Sequence, residues 1–119
     1  MRNFRNLNIW KNGIELVKEI YTVSLLLPDE EKFGLTSQIR RAAVSVPSNI
    51  AEGCSRSSEI EYKRFLEIAL GSLFEIETQL IVILELDMIE EDKLNFLFEK
   101  VQTEQKMVNN LISKIKTNI

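Results

Sequence analysis

Between Leu94 and Ile115 the sequence advances in steps of three and four. Leu94, Leu97, Val101, Glu104, Val108, Leu111 and Ile115 keep this alternation without a slip. Only an α-helix gathers such positions on one side. A long helix with one apolar stripe must bury that stripe against other helices. The one interruption is Glu104. The spacing predicts a helix starting near Glu90 or Glu91, where acidic residues suit the positive end of the helix dipole. Two of its basic residues gather late, at Lys114 and Lys116, as the dipole prefers.

Three further segments carry helical stripes. The first runs from about Leu7 to Leu26, with Trp10, Ile14, Val17, Tyr21 and Leu25 on one line. Gly13 lies inside it at a cost of about 1 kcal/mol relative to Ala, which predicts a close contact. Pro28 ends the helix, because the residue before a proline is pushed out of the helical region. An acidic turn, Asp29–Glu31, follows, and Phe33 is expected to plug one end of the core. The second helix is expected from Thr36, as a side-chain cap, to Gly53, as a C-terminal stop. Its stripe is Leu35, Ile39, Ala42, Val46 and Ile50, with Ala43 beside it. Pro47 removes the hydrogen bond to the Ala43 carbonyl and predicts a kink. The alternative is a break into two short helices. The third helix starts at Ser58, whose spacing to Glu61 is that of a capping box, and runs to about Leu86. Tyr62, Phe65, Leu66, Ala69, Leu73, Ile76, Leu80, Ile83 and Leu84 form its buried face.

Only four Gly and two Pro punctuate the 119 residues, too few for a sandwich or barrel with a turn every ten residues or so. Apolar residues make up 45% and charged residues 28%, a globular balance that argues against disorder and against an integral membrane protein. The expected fold is all-α: residues 1–119 as a single domain, an antiparallel up-down four-helix bundle. The heptad period predicts left-handed crossings.

The chemistry is bounded by the absence of histidine. No Ser-His-Asp or Cys-His nucleophile can be built, nor any metal site that needs imidazole. A single cysteine, Cys54, forms no intrachain disulfide and reads as a small residue near a helix end rather than a reactive thiol. The first ten residues contain no apolar stretch of signal-peptide length. The longest pure apolar run is Leu80–Leu84. A cytoplasmic protein is expected. Gly34, Gly53 and Gly71 are isolated, so no phosphate-cradling loop is present.

One feature exceeds what a plain bundle requires. Gln38, Arg41, Ser45, Asn49 and Glu52 share a second face of the second helix. These are short or planar hydrogen-bonding groups, where a merely solvated face would carry Lys and Glu. The stripe is expected to be at least partly buried, within the bundle or at a subunit interface. The alternative is an exposed face without a role. Gly71 and Ser72 on the third helix are comparably small and suggest close helix approach. A buried Arg41 needs a carboxylate, which Glu75, Glu67 or Glu52 could supply. Glu52, Glu75 and Glu77 could in principle form an acid–base pair, but structural pairing is the favoured reading and no catalytic residue is assigned.

Charge is unevenly placed along this net −3 chain. Residues 32–64 hold six basic and three acidic side chains, whereas residues 65–92 hold eight acidic and no basic ones. Such polarity can dock one subunit on the next. Arg40, Arg56, Lys63 and Arg64, with Arg2 and Arg5, form the candidate phosphate-facing patch for a nucleic acid.

The run from Phe33 through Gln38-Ile-Arg-Arg-Ala-Ala-Val-Ser-Val-Pro-Ser-Asn-Ile-Ala-Glu-Gly53 resembles the signature of a bacterial family. Its members are four-helix-bundle proteins encoded within intervening sequences of 23S ribosomal RNA genes. The segment from Tyr62 to Glu77 and the region from Leu7 to Tyr21 are also similar; the last helix is a generic match. The resemblance implies a left-handed antiparallel up-down bundle assembling into a homopentamer, with no known enzymatic activity; from the residues themselves no cofactor or metal is expected. The signature positions here are Gln38, Arg41, Ser45, Asn49, Glu52 and Gly53, with Gly71, Ser72 and Glu75. The accessory variability protein of diversity-generating retroelements is distantly similar. It is pentameric and basic and works with a reverse transcriptase and its RNA, whereas this chain is acidic. Two functional expectations follow: a non-enzymatic self-assembling interaction scaffold, or an accessory protein that binds RNA or an RNA–protein complex through a local basic face.

Overall fold

The computed structural model describes residues 2–118, the last three by backbone alone, so the late charge expected at Lys116 lies outside the described side chains. Four helices form the molecule: α1 (Asn8–Ser24), α2 (Leu35–Cys54), α3 (Glu59–Glu85) and α4 (Glu91–Asn118). One-turn 3-10 helices at Phe4–Asn6 and Asp29–Glu31 precede α1 and α2. The described residues contain no strand. The helices pack side by side in a rod of 45 × 21 × 20 Å.

The contacts show that each neighbouring pair runs antiparallel. Arg40 of α2 reaches Ser24, whereas Pro47, further along, faces Gly13. Ser45 meets Ser72, and Gly53 meets Phe65 and Tyr62. Gln105 of α4 reaches the Leu73 carbonyl, and Gln102 reaches Glu77. Asn12 touches Met107 while Glu19 binds Lys100. The helices α1 to α4 thus go up, down, up and down, closing a four-helix bundle whose four seams join α1–α2, α2–α3, α3–α4 and α4–α1.

The core stripe of α1 differs from the expected one by about one residue. Ile9, Gly13, Leu16, Ile20 and Ser24 are buried, whereas Trp10, Ile14 and Val17 are half-buried and Leu25 is 74% exposed. The buried line includes a glycine and a serine, so it is the less apolar of two adjacent stripes. It wins because Gly13 lets α1 approach Pro47 closely: a β-carbon there would lie 3.4 Å from the Pro47 Cβ. Trp10 instead packs beside Phe4, with ring centroids 5.1 Å apart.

At the start of α2 the cap is not Thr36. The helix opens at Leu35, and the Glu31 carboxylate accepts its amide hydrogen at 3.2 Å, placing a negative charge on the positive helix end. Phe33 plugs nothing; it is 90% exposed. The helix α2 runs unbroken through Pro47, which excludes two separate helices. Gly53 does not stop it either. The helix continues to Cys54, no glycine among the described residues has a positive φ, and Gly53 serves close packing against α3.

The helix α3 opens on Ser58, whose hydroxyl accepts the Glu61 amide at 3.1 Å. It closes through a Schellman arrangement. The Met88 amide bonds the Ile83 carbonyl and the Asp87 amide bonds the Leu84 carbonyl. Asp87 takes the left-handed position at φ 55°. Along α4, Leu94, Leu97, Val101, Glu104 and Val108 are buried, after which the seam drifts from Leu111 to Ile112 and Ile115. A straight helix slips about 20° per heptad, enough to move the contact by a fraction of a residue per repeat. Among the described residues, no helix is long and apolar enough to cross a membrane.

Candidate functional site

The second stripe of α2 lies along the outer rim of the α2–α3 seam. Ser45 and Asn49 are half-buried and form one network: the two hydroxyls of Ser45 and Ser72 are 2.8 Å apart, and the Asn49 side-chain amide donates to the Ser45 hydroxyl at 2.9 Å and to its carbonyl at 2.8 Å. Gln38, Arg41 and Glu52 are exposed. The stripe is therefore buried only at its centre.

Among the described residues, Arg41 lacks the expected carboxylate. Glu52 pairs with Arg56 at 3.0 Å, Glu67 with Lys63 at 3.9 Å, and Glu75 accepts from Gln79 at 3.3 Å. Each candidate is taken by a neighbour one helical turn away on its own helix or at the helix end. These are the shortest reaches available to an exposed side chain. Gly71 also departs from expectation. It is exposed, and a β-carbon on it would meet nothing within 4 Å. Close helix approach is instead carried by its neighbour Ser72. Of the exposed apolar side chains, Ile68 lies one turn before Ser72 on the α2-facing side of α3 and Val44 one turn after Arg41 on α2, whereas Phe74, two residues past Ser72, lies on the other side of α3.

The acid–base trio does not assemble. Glu52 turns to Arg56, Glu75 to Gln79, and Glu77 accepts from Gln105 at 2.7 Å and Gln102 at 3.2 Å, tying α3 to α4.

The basic residues separate into two places. Arg40 sits on the α1 side of α2, donating to Ser24 at 2.8 Å with its guanidinium 4.6 Å from the Tyr21 ring centre. It lies 16 residues, about 24 Å of helix, from Arg56. Arg56, Lys63 and Arg64 gather instead with Arg2 and Arg5 at the end where the chain start meets the α2–α3 turn. Arg2 pairs with Glu59, donates to the Arg56 carbonyl at 3.1 Å and stacks 3.9 Å above Tyr62. Carboxylates thus neutralise Arg2, Arg56 and Lys63, whereas Arg5 and Arg64 have no ion pair among the described residues.

Under this end lie Cys54 and Tyr62, both buried. Burial pushes the Cys54 thiol up from its ordinary value and the Tyr62 hydroxyl up to about 12. A protonated, enclosed thiol is an inert one.

The most perturbed carboxyl lies elsewhere. Glu104 is 2% exposed, both its oxygens lack a hydrogen-bond partner, and burial alone raises its pKa to about 8. Its interruption of the heptad was the only sequence signal of this site. It lines a groove of about 370 Å³ between α1 and α4, together with Asn12, Glu15, Leu16, Phe96, Glu99, Lys100 and Thr103.

The comparisons agree with this architecture. A solved protein of unknown function from the S23 ribosomal protein family of Bacteroides thetaiotaomicron superposes with a TM-score of 0.81. It is 23% identical, and the match covers 87% of this chain and 97% of the other. No curated protein matches the chain. The family model described as 23S rRNA-intervening sequence protein matches residues 5–110. On a match of that extent, spanning nearly the whole bundle, the chain belongs to the 23S rRNA-intervening sequence protein family.

Proposed function

We propose that this protein is a non-enzymatic, self-assembling bundle that acts as an interaction scaffold in the cytoplasm, with the outer α2–α3 face as the contact between copies. The observation that carries the reading is Arg41. It is an exposed cation with no ion pair among the described residues, one turn from the exposed Val44 and on the side where α3 presents the exposed Ile68 and the open space at Gly71. A second copy can bring a carboxylate to Arg41 and apolar surface to its neighbours. The acid-only stretch from Phe65 to Asp92 offers such carboxylates on every subunit. A heterologous contact of this kind closes into a ring when its rotation divides the full turn, and five subunits is the number the resemblance implies.

Light scattering on a size-exclusion column tests this, with absorbance at 260 and 280 nm followed across the peak. The expected result is a mass about five times the subunit, free of nucleic acid. Arg41→Glu should reduce the mass to that of one chain while leaving helical content unchanged. A wild-type monomer, or an Arg41→Glu variant of native mass and melting temperature, defeats the proposal. The RNA reading draws less support, because three of its five clustered cations already hold carboxylates. A salt-sensitive shift of a structured RNA by the wild type would restore it.

A further inference from the structure

The α1–α4 groove lies on the opposite side of the bundle from the α2–α3 face, and nothing in the assembly proposal uses it. Its inner wall is made by Glu104, whose two carboxyl oxygens are enclosed and have no hydrogen-bond partner. Buried polar groups are nearly always paired, so an orphaned carboxyl in a lined groove calls for a donor from outside the chain. The rest of the lining indicates which donor. Glu15 and Glu99 stand at the mouth, on α1 and α4. Lys100 also lines the groove, but its ammonium is held by Glu19 at 2.7 Å and sits 4.7 Å from the Phe96 ring centre. Leu16 and Phe96 supply apolar walls, and Asn12 and Thr103 supply neutral polar groups. On its inner side Glu104 lies beside Gly13 of α1, where a β-carbon would stand 3.6 Å from its Oε2 and 3.4 Å from the Pro47 Cβ of α2, and neither residue carries a charge. The other buried titratable groups, Cys54 and Tyr62, belong to the far end near Arg2, Cys54 being about two helical turns beyond Pro47. The described residues contain no group of three or more ligating side chains able to hold a metal ion.

We propose that this groove is a binding site for a small organic cation, an alkylammonium or alkylguanidinium ion whose N–H groups bond the Glu104 carboxylate as that side chain turns from the Gly13 contact toward the groove, while the ligand stem lies against Leu16 and Phe96. The positive head is drawn by Glu15 and Glu99 and desolvated at Glu104, where the ion pair is least screened. Uptake of the cation ionises Glu104, because an opposite charge at contact distance favours the carboxylate. One proton leaves the protein as the ligand enters at neutral pH, since the free carboxyl holds its proton up to about pH 8.

The test is titration calorimetry of the full chain with n-butylammonium and n-butylguanidinium, in buffers of different ionisation heat, from about pH 6.5 to about pH 8.5. The expected result is saturable binding that tightens about tenfold per pH unit below about pH 8 and levels off above it. Near pH 6.5, one proton should be released per ligand. Glu104→Gln, a neutral near-isostere, should retain the fold and lose the binding. Glu99→Gln should retain the pH dependence with an affinity loss of a few-fold. Tetramethylammonium, which has no N–H donor, should bind at least about tenfold more weakly. Absence of saturable heat with both probes, affinity independent of pH, or undiminished binding to Glu104→Gln would each overturn the proposal. Tighter capture of a lysine-containing tripeptide than of n-butylammonium would overturn the assignment to a free small molecule, in favour of a protein side chain.

Discussion

Gly53 and Phe65 bring α2 and α3 so close that a β-carbon on Gly53 would lie 2.9 Å from the Cβ of Phe65 and 3.2 Å from the Tyr62 ring. Neither neighbour is a flexible chain end, so one of the two helices would have to move. Gly71 is the opposite case, a helical glycine with open space where its β-carbon would be. Alanine should therefore act with opposite sign at the two sites. Gly53→Ala is expected to lower the unfolding free energy by about 1–3 kcal/mol through overpacking. Gly71→Ala should raise that of the isolated chain by about 1 kcal/mol through helix propensity. Urea unfolding at protein concentrations low enough to dissociate any assembly measures both.

The buried carboxyl of Glu104 makes stability depend on pH. Its folded pKa, about 8, lies above the ordinary value of 4.5. Between these values the folded state holds a proton that the unfolded state has released. Stability is thus highest below about pH 4.5 as far as this group is concerned, and falls as pH rises through 8, by up to about 1.4 kcal/mol per pH unit. Glu104→Leu completes the heptad and should remove this slope, gaining about 2 kcal/mol near pH 8 and less in mild acid. Thermal melts across that range decide the matter; an unchanged slope in the variant would show that Glu104 is not its source.

Asp87 holds the left-handed position that closes α3, a conformation costing an L-residue about 1–2 kcal/mol. Glycine adopts it without that penalty but loses more freedom on folding. Asp87→Gly should stabilise by about 0.5–1 kcal/mol, whereas Asp87→Val should destabilise, since a β-branched residue tolerates that φ least. The midpoint of denaturant unfolding gives the comparison.

Arg2 ties the chain start to the α2–α3 turn through Glu59, the Arg56 carbonyl and the Tyr62 ring. Arg2→Ala is expected to cost about 1 kcal/mol, mainly from the ring contact and the hydrogen bond, since surface ion pairs contribute little. Arg64→Ala, an exposed residue with no ion pair, should change stability by less than about 0.5 kcal/mol. Faster amide exchange at Leu7–Trp10 in the Arg2 variant would show that the chain start has been released.

The sequence made the four helices legible because their periodicity and breakers were strong. Ser58 with Glu61 marked the start of α3, and Leu94 to Val108 marked the inner face of α4. The choice between adjacent stripes on α1 was not legible. Hydrophobicity favours Trp10 and Leu25, whereas the shape of α2 at Pro47 selects the line through Gly13. That selection is tertiary and leaves no mark on α1 itself. The Thr36 cap failed for a similar reason. Glu31 reaches the free amide from a 3-10 turn whose path the propensities of Asp29–Glu31 do not specify. On the candidate site, the Ser45–Asn49–Ser72 cluster could be sensed from small polar residues on facing helices. The lack of an ion pair at Arg41 among the described residues could not, because Glu52, Glu67 and Glu75 were each within reach of more than one cation or amide by sequence spacing.

The antiparallel order of the seams also sets the course of folding. Three seams join segments that follow each other along the chain, so each can close as a local hairpin at small loop-entropy cost. Only the α1–α4 seam unites the two ends of the sequence, and it is the most open of the four. A bundle with so few long-range closures belongs to the low-contact-order class that folds in microseconds to milliseconds. The meeting of α1 with α4 closes the longest loop of the four, so it is the seam expected to form last and to open first, with Glu104 behind it.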